Sequence, residues 1–475
     1  MTAYTDALAR LAMRGPGRML PDLDRITALC DLLADPQTSY PSIHVTGTNG
    51  KGSVARMVSR LLHVLDLGVG TYTSPHLQDV RERIAAYGHL IPEDDFAAQV
   101  ELISGLADVL DEAHDDPADH VTYFEILTAM AYSWFAELPV DVGVFEVGMG
   151  GRWDATNLVR GEVSVLTTID RDHPELGDSP VQVATEKVGI IKPGAHVVTA
   201  EQQDAVTPVI ANAVKSANAR WWRAGEDFAV EDQLVGVGGQ NLELRIGERV
   251  IDDVFVPVLG DHQADNAAVA LAAAAAFLGD AWASVDDDLV RDAFGGLRLP
   301  GRLETVSTDP TIIVDGAHNP AGVRAVVDAV REFLRPRSTI LVFGCLRDKP
   351  ARELLEAFAP LVQHVVLVEA PSPRATPIDQ LLAAATTVFE GTGVAVESAT
   401  DLHDAVDLAT GVVGTGDVVV ASGSLYVAGG VRDRWLPADE TLHLVVPLDD
   451  EDGGEDEFDS RGPDDGFADG EPDVT

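Results

Sequence analysis

The order of apolar and polar positions divides residues 41–436 into short β-rich runs that alternate with longer helical stretches. Apolar runs of strand length lie at 41–46, 69–73, 141–147, 163–169 and 195–199. Patterns with a helical period lie between them, at 53–66, 124–136 and 205–217. This alternation is typical of an α/β protein with a mostly parallel sheet and helices on both faces.

Two changes of pattern interrupt the alternation. Residues 228–258 contain short strand patterns and glycine-rich turns, which predict a small antiparallel appendage, and an alanine-rich helix is predicted at 265–278. A Leu-Pro-Gly-Arg break at 299–302 precedes a second alternating set, with strands predicted at 311–314, 339–343, 364–368 and 417–421. We therefore expect an N-terminal domain over 1–299 and a smaller, Rossmann-like α/β domain over 300–436.

The C-terminal segment, 437–475, differs from the rest of the chain. From Asp449 onward it contains 13 acidic residues and one arginine, with several glycines and few apolar residues. A segment with so little to bury cannot offset the entropy cost of ordering. The sequence therefore predicts a disordered acidic tail.

The charge balance makes some classes of partner unfavourable. The chain has 33 basic and 78 acidic residues, a formal net charge of −45, which repels nucleic acid and anionic lipid. No apolar run approaches about 18 residues, the length of a membrane-spanning helix. The two cysteines, Cys30 and Cys345, are far apart and indicate a reducing compartment. We expect a cytoplasmic monomer with no nucleic-acid or membrane partner.

A glycine-rich loop follows the first predicted strand. The stretch 44–53, HVTGTNGKGS, places one lysine among three glycines and leads directly into a predicted helix. Backbone N–H groups in such a turn, at the positive end of a helix, bind phosphate oxygens, and the lysine adds a point charge. Only two residues separate the first two glycines, where the Walker pattern has four. We predict that the loop binds a nucleoside triphosphate through Thr48, Asn49, Gly50, Lys51, Gly52 and Ser53.

The shortened loop resembles the ATP loop G-T-N-G-K-[GT]-[ST] of the ATP-dependent Mur ligase superfamily. Further motifs follow in the order found in the folylpolyglutamate synthase/dihydrofolate synthase family, at 73–77, 82–84, 123–125, 146–157, 172–173, 176–177, 186–192, 315–320 and 423–426. The resemblance spans roughly residues 20–436. Two prolines depart from the family pattern: Pro174, directly after His173, and Pro350, where the family usually has aspartate.

The resemblance implies an ATP-dependent amide ligase that works through an acyl phosphate. It adds L-glutamate to dihydropteroate, to reduced folates such as tetrahydrofolate, or, in a bifunctional enzyme, to both. The resemblance implies ATP and two Mg²⁺ ions, with Lys51, Glu146, His173 and Lys187 as the catalytic residues. The implied metal ligands are Ser74, Glu146, His173 and a carbamylated Lys187. An unmodified ammonium would be repelled by two divalent cations, whereas its carbamate is an anion.

The resemblance also implies the residues that bind each substrate. Asn266, Arg302 and Asp315 complete the ATP site, so that ATP is held by both domains. For the pterin-bearing substrate the implied residues are Leu23, Asp24, Arg25, Thr122, Tyr123, Phe124, Glu125, Trp153, Asp154 and Ala155. His318 and Ser424 are implied to line the cleft that glutamate enters.

Three other interpretations remain open on the sequence. A cell-wall Mur ligase would carry a nucleotide-sugar domain before the ATP loop, and here the loop begins at residue 47. A P-loop kinase would need neither a glutamate cleft nor a modified lysine. An inactive scaffold with an acidic interaction tail would require residues 437–475 for its function.

Overall fold

The computed structural model describes residues 2–15, 20–171, 173–436 and Ala438. Their strands form an eight-stranded sheet, a three-stranded sheet and a six-stranded sheet. The predicted acidic tail at 437–475 lies outside the described residues apart from Ala438, and Asp172 lies outside them too.

The eight-stranded sheet forms the centre of the N-terminal half. Its strands are β1 Ser42–Thr46, β2 Val69–Tyr72, β3 Ile84–Ala86, β4 His89–Leu90, β5 Val142–Glu146, β6 Val163–Leu166, β7 His196–Thr199 and β8 Arg220–Arg223. They lie in the order β4-β3-β2-β5-β1-β6-β7-β8, parallel from β2 to β8 and antiparallel at β3 and β4. Because parallel strands end at the same edge, the loops after β1, β2, β5 and β6 meet there.

Helices cover both faces of this sheet. They are α1 Ala3–Ala12, α2 Asp24–Leu32, α3 Lys51–Val64, α4 Glu93–Asp111, α5 Tyr123–Glu137, α6 Pro180–Lys187, α7 Thr207–Ser216, α8 Asp261–Leu278 and α9 Asp287–Gly295. Along β5, Val144 packs with α3 and α8, whereas Phe145 packs with α1, α2, α4 and α5 on the other face. Alternate strand residues point to opposite faces, so both faces are apolar and the strands are buried.

The predicted antiparallel appendage is present. It consists of β9 Phe228–Gly236, β10 Gly239–Ile246 and β11 Arg249–Val256, and α8 follows it. The stretch Asp261–Ser284 is long and apolar enough, by length and composition, to cross a membrane. The apolar side chains of α8 are buried against α3 and the small sheet, so burial in the protein core accounts for its composition.

The six-stranded sheet forms the C-terminal half. Its strands are β12 Glu304–Thr308, β13 Thr311–Val314, β14 Thr339–Phe343, β15 His364–Leu367, β16 Ala395–Ser398 and β17 Val418–Ser422, in the order β12-β13-β17-β14-β15-β16. All pairs are parallel except β12 with β13. The helices are α10 Pro320–Ala329, α11 Ala351–Phe358, α12 Ile378–Phe389, α13 Leu402–Val412 and α14 Leu425–Arg432.

The structure confirms the α/β class and both predicted alternating sets. The strands that the sequence pattern missed are β3, β4, β8, β12 and β16. These strands have only two or three residues or lie at sheet edges, where one side is solvated and no continuous apolar run is needed. The domain boundary at 299–302 stays a prediction; β12 begins just beyond it, at Glu304.

Candidate active site

A cleft of about 1040 Å³ is lined by residues of both halves of the molecule. The N-terminal half contributes the loops after β2, β5 and β6, and the C-terminal half contributes residues near the starts of α10, α11 and α14. The predicted site residues that line it are Arg25, Ser74, Thr122, Phe124, Glu125, Trp153, Asp154, Ala155, His173, His318 and Ser424. The structure thus gathers residues predicted for the pterin, metal and glutamate sites around one cavity.

The predicted ATP loop joins β1 to α3. Gly50 precedes α3 with a φ of 88°, a conformation that favours glycine. A Cβ atom on Gly47 would lie 1.7 Å from Oγ1 of Thr167, so a side chain there cannot be accommodated. The Lys51 ammonium donates to the carbonyl oxygens of Gly47 and Thr48 at 3.1 and 3.2 Å. The lysine therefore lies over the loop at the positive end of α3, where phosphate oxygens bind.

Two asparagines approach this loop from other elements. A Cβ atom on Gly50 would lie 2.5 Å from Oδ1 of Asn266, which projects from α8. Asn319, which caps α10, donates from Nδ2 to Oδ1 of Asn49 at 2.9 Å. The second contact ties the ATP loop to the C-terminal half, and nothing in the sequence pattern had singled out Asn319 as a bridge.

The Glu146 carboxylate lies beside the loop, at the C-terminal end of β5. Its Oε2 accepts from the N–H of Ser74 at 2.9 Å, and a Cβ atom on Gly52 would lie 3.2 Å from the same oxygen. Burial raises the pKa of Glu146, and the charge of Lys51 opposes this effect. A buried carboxylate between a serine and a phosphate loop is an environment suited to a hard divalent cation.

Lys187 and His173 both lie in the segment after β6, and Lys187 contacts the ATP loop. Lys187, the last residue of α6, is only 1% exposed, and its Nζ donates to the carbonyl oxygen of Gly47 at 2.6 Å. His173 precedes the short turn Pro174–Leu176 and lines the cleft. The proline that departs from the family pattern starts this turn, a position that suits its fixed φ.

The residues beside the ATP loop suit one Mg²⁺ ion as they stand. A second Mg²⁺ ion would need an anionic ligand in place of the Lys187 ammonium. Among the described residues, no group of three or more His, Cys, Asp or Glu side chains is placed to hold a metal ion. Mg²⁺ usually keeps several waters and is bound by one or two carboxylates plus substrate phosphates, which matches Glu146 and Ser74 beside the ATP loop. The ammonium of Lys187 is itself no metal ligand, because it is positively charged and its nitrogen has no free lone pair.

The residues predicted at the domain border have different surroundings. Both carboxylate oxygens of Asp315 accept backbone N–H groups, from Leu303 at 2.8 Å and Ala317 at 2.7 Å. Burial raises the pKa of Asp315, and the charge of Arg302 opposes this effect. His318 is hydrogen-bonded through Nδ1 to the carbonyl oxygen of Gly316, and burial lowers its pKa to about 4. His318 is therefore neutral near pH 7.

Comparisons with known proteins agree with this geometry. Residues 45–274 match the Mur ligase middle domain, and residues 301–425 match the glutamate ligase domain of Mur ligases. The dihydrofolate synthase/folylpolyglutamate synthase of Mycobacterium tuberculosis is 40% identical over 440 residues, covering 87% of this chain and 90% of that protein. The folylpolyglutamate synthase of Lacticaseibacillus casei is 34% identical, covering 91% of this chain and 97% of that one.

Solved structures match over the same extent. The Mycobacterium tuberculosis folylpolyglutamate synthase complexed with ADP superposes with a TM-score of 0.86 at 39% identity, covering 91% of this chain and 98% of that chain. The chain belongs to the folylpolyglutamate synthase/dihydrofolate synthase family. As a member of this family within the Mur ligase superfamily, it is an ATP-dependent ligase. The ligase class disfavours the kinase interpretation, and membership of this particular family disfavours the cell-wall interpretation.

The predicted pterin residues of this family member divide into two groups. Arg25, Thr122, Phe124, Glu125, Trp153, Asp154 and Ala155 line the cleft, and Trp153 is 46% exposed there. Leu23, Asp24 and Tyr123 do not line it. The partly buried Leu23 side chain packs against the hydrophobic core, Asp24 is exposed, and the ring of Tyr123 lies 5.6 Å from the guanidinium carbon of Arg83. In their place the neighbouring Asp22 and Leu20 face the cleft.

The two carboxylates predicted for the pterin site, Glu125 and Asp154, already accept hydrogen bonds from the local backbone. Glu125 accepts from Nε of Arg25 at 3.0 Å and from the N–H of Thr122 at 2.8 Å. Asp154 accepts from the N–H groups of Met149 and Thr156 at 2.9 and 3.0 Å. These bonds fix the shape of the wall and leave only remaining lone pairs for ring nitrogens.

The structure adds cleft residues that sequence reasoning had not assigned. On the C-terminal wall, Lys349 and Arg374 flank Asp348 at 3.2 and 2.8 Å, and the Tyr426 ring is 40% exposed. Arg83 lines the opposite wall. Arg83 and Tyr426 lie within the family motifs 82–84 and 423–426. The sequence had therefore marked both residues without indicating what they do. Arg374 stands in no such motif, and only the tertiary structure brings it to the cleft.

Proposed function

We propose that this protein is a bifunctional dihydrofolate synthase/folylpolyglutamate synthase that joins L-glutamate to dihydropteroate and to reduced folates. The observation that carries the proposal is the convergence of the ATP loop, Glu146 and Lys187 with the cleft walls of both halves. The relatives from Mycobacterium tuberculosis, Bacillus subtilis and Escherichia coli are named for both activities. A solved folylpolyglutamate synthase complex with AMPPCP and folate, whose chain is 32% identical to this one with a TM-score of 0.77, supports nucleotide and folate as the ligands of this cleft.

A carboxylate does not react readily with an amine, so the proposed reaction first activates the carboxylate and then forms the amide. A carboxylate oxygen of the pteroate or folate attacks the γ-phosphorus of ATP, and ADP leaves. The amine of glutamate then attacks the acyl carbon, phosphate leaves, and the amine loses a proton. Lys51 and the N–H groups of the ATP loop hold the β- and γ-phosphates throughout, so that the protein mainly positions groups and neutralises charge.

We propose that Ser74, Glu146, His173 and carbamylated Lys187 hold two Mg²⁺ ions at the cleft end of the ATP loop. Bound Mg²⁺ supplies charge neutralisation for the phosphates and the attacked carboxylate. The Ser74 N–H holds Glu146 in place for this role, and the charge of Lys51 favours the ionised form of its carboxylate. Carbamylation leaves one hydrogen on Nζ of Lys187, so its bond to the carbonyl oxygen of Gly47 is compatible with the modified residue.

We assign the two substrates to opposite parts of the cleft. Phe124 and Trp153 offer aromatic faces on which a flat pterin ring can stack, and Arg25 and Asp22 border them. His318, Ser424, Lys349 and Arg374 lie on the C-terminal wall, where the two cations suit the two carboxylates of glutamate. In a chain of net charge −45, such cations in a cleft attract an acidic substrate.

The deciding experiment is mass analysis of the products formed from ATP, Mg²⁺ and glutamate with either dihydropteroate or tetrahydrofolate. We expect addition of one glutamate to dihydropteroate and of one or more to tetrahydrofolate. Product from only one acceptor would restrict the protein to one activity. ADP release that requires a nucleoside and not glutamate would instead support a kinase.

We further propose that the protein is a cytoplasmic monomer organised as domains 1–299 and 300–436 with the tail 437–475. Both cysteines are free and buried, as expected for a reducing compartment. Light scattering coupled to gel filtration tests the monomer, and a dimer mass would contradict it.

A further inference from the structure

The segment after β2, residues 73–79, is anchored to the N-terminal half by two buried carboxylates. Glu146 accepts the N–H of Ser74 at 2.9 Å. Glu82 accepts the N–H groups of three successive residues, 77–79, each at 2.8 Å. The backbone of this segment is therefore held at both ends by side chains of the same domain.

The other side of the segment packs against α14 in the C-terminal half. A Cβ atom on Gly429 would lie 2.2 Å from the carbonyl oxygen of Leu77 and 3.1 Å from its carbonyl carbon. A Cβ atom on Gly301 would lie 3.0 Å from Cδ1 of Leu77. Leu77 therefore occupies a notch, defined here by Gly301 and Gly429, in which its backbone carbonyl lies against Gly429 and its side chain lies against Gly301.

The Gln78 side chain forms hydrogen bonds with residues at the C-terminal end of α14 and just beyond it. Its Nε2 donates to Oδ1 of Asp433 and to the carbonyl oxygen of Leu436, both at 3.1 Å. Its Oε1 accepts from the Arg432 guanidinium, which is 4% exposed and also binds both oxygens of Glu304, at 2.8 and 3.0 Å. Both polar atoms of the Gln78 side chain are thus hydrogen-bonded to the C-terminal half.

We propose that the docking of Leu77 and Gln78 into this notch positions the cation site. Only two residues separate Ser74 from Leu77, and both ends of this stretch are hydrogen-bonded, so a displacement of Leu77 shifts the Ser74 N–H relative to Glu146. Leu77 and Gln78 are positioning residues, which tie the Ser74–Glu146 pair to the placement of the C-terminal domain. The inference rests on the proposed role of Ser74 and Glu146 in binding Mg²⁺.

The decisive variant is Gly429→Ala, with Gly430→Ala as its matched control. The added methyl at 429 meets a backbone carbonyl, whereas at 430 it meets Cδ1 of Leu402, the far end of a flexible side chain, at 2.4 Å. Both changes replace an α14 glycine by the better helix former. A difference between the two variants therefore reports the contact with Leu77 and not helix propensity.

Two readouts are measured on the full chain: product formation as a function of Mg²⁺ concentration, and ADP affinity by calorimetry with and without Mg²⁺. For Gly429→Ala we expect the half-saturating Mg²⁺ concentration to rise about tenfold. This is the typical loss of metal affinity when a residue that orients a metal ligand is changed. ADP affinity without Mg²⁺ stays as in the wild type, while its enhancement by Mg²⁺ is reduced. Gly430→Ala follows the wild type in both readouts.

Gln78→Ala provides a second variant that introduces no clash. It removes three hydrogen bonds to the C-terminal half and is expected to shift the Mg²⁺ dependence in the same direction. Folded Gly429→Ala and Gln78→Ala proteins with wild-type Mg²⁺ dependence in both readouts would overturn the inference. A wild-type protein that forms no glutamate adduct would instead refute the proposed function, so the two failures are distinguishable.

Discussion

At the scale of single residues, the candidate site contains charged side chains that are almost fully buried. Lys187 is 1% exposed and Glu146 is 4% exposed, and both contact the turn that carries Lys51. Burial without a compensating partner destabilises a charge, so each of these groups is held by a defined hydrogen bond. Removal of one of them therefore affects the reaction more than removal of a surface charge.

We expect Lys187→Ala to lower kcat by about 100-fold, because it removes both the proposed carbamate and a donor to the ATP loop. The measurement is glutamate-dependent ADP release at saturating ATP. Lys215→Ala, at an exposed position of α7, serves as the control and keeps wild-type turnover. Partial rescue of Lys187→Ala by acetate would support an anion at this position; wild-type rates without rescue would exclude the carbamate role.

His44 makes the stability of the folded protein dependent on pH. It is fully buried and bonded through Nε2 to Oγ1 of Thr156 at 2.8 Å, and burial lowers its pKa to about 3. Below pH 6.5 the unfolded chain binds a proton at His44 and the folded protein does not, so stability is present above that pH and is lost as pH falls toward 3. Between pH 7 and 5 the loss from this residue is about 2 kcal/mol.

Urea unfolding of the wild type and of His44→Gln at pH 7, 6 and 5 tests this assignment. The decrease in unfolding free energy from pH 7 to 5 is expected to be smaller in the variant by that amount. Parallel pH profiles for the two proteins would show that His44 is protonated in the folded state as well.

At the scale of elements, the start of α5 shapes one wall of the cleft. Oγ1 of Thr122 accepts the N–H of Glu125 at 3.2 Å, and the Glu125 carboxylate accepts the N–H of Thr122 at 2.8 Å, which makes a capping box. The same carboxylate binds Arg25, so the cap also fixes a side chain that lines the cleft.

Thr122→Ala is expected to lower the free energy of unfolding by about 1 kcal/mol, the usual cost of losing an N-cap hydroxyl. Thr122→Ser keeps the hydroxyl and is expected to stay close to the wild type. Urea denaturation of the three proteins gives the comparison. Equal losses in the two variants would mean that the threonine methyl, and not the hydrogen bond, stabilises this helix start.

At the scale of the whole molecule, the two halves are in direct contact at the ATP loop. The Asn319–Asn49 hydrogen bond joins α10 directly to the ATP loop, and Asn319 also caps α10 by accepting the N–H of Gly322 at 2.8 Å. These two roles can be separated, because serine is a good N-cap but is too short to reach Asn49.

We expect Asn319→Ser to raise the KM for ATP about fivefold, the value of one hydrogen bond, with little change in thermal stability. Asn319→Ala is expected to show the same KM and a lower melting temperature, because the cap is lost too. If Asn319→Ser bound ATP as tightly as the wild type, the bridge would have no role in nucleotide binding.

Deletion of residues 437–475 separates the ligase from a scaffold that acts through its tail. The deleted protein is expected to keep near-normal turnover, since all residues assigned to the cleft precede position 437. Product formation by the deleted and full-length chains under identical conditions provides the test. Loss of activity in a folded, truncated protein would assign a functional role to the tail.

Sequence alone identified the buried parallel strands and the phosphate loop. Such strands are continuous apolar runs in the sequence, so they can be recognised locally. The glycines and the lysine of the loop lie within a few residues of each other, so the loop can be recognised locally too. Sequence did not reveal edge strands such as β8 and β16, because their solvated sides carry polar residues. Family motifs marked Arg83 and Tyr426 but gave them no role, and Leu23 and Asp24, which the resemblance implied for the pterin site, do not line the cleft.

The sequence by itself therefore determined the fold class, the glycine-rich loop at the start of α3 and the family to which the chain belongs, since these depend on local patterns and on ordered motifs. Only the tertiary structure decided which residues face one another: Asn319 with Asn49, Arg374 with the cleft, and Leu77 with Gly429. Such pairs lie hundreds of residues apart along the chain, and no local periodicity records them. They are set by how the two halves of the molecule, each built on its own sheet, pack across the cleft.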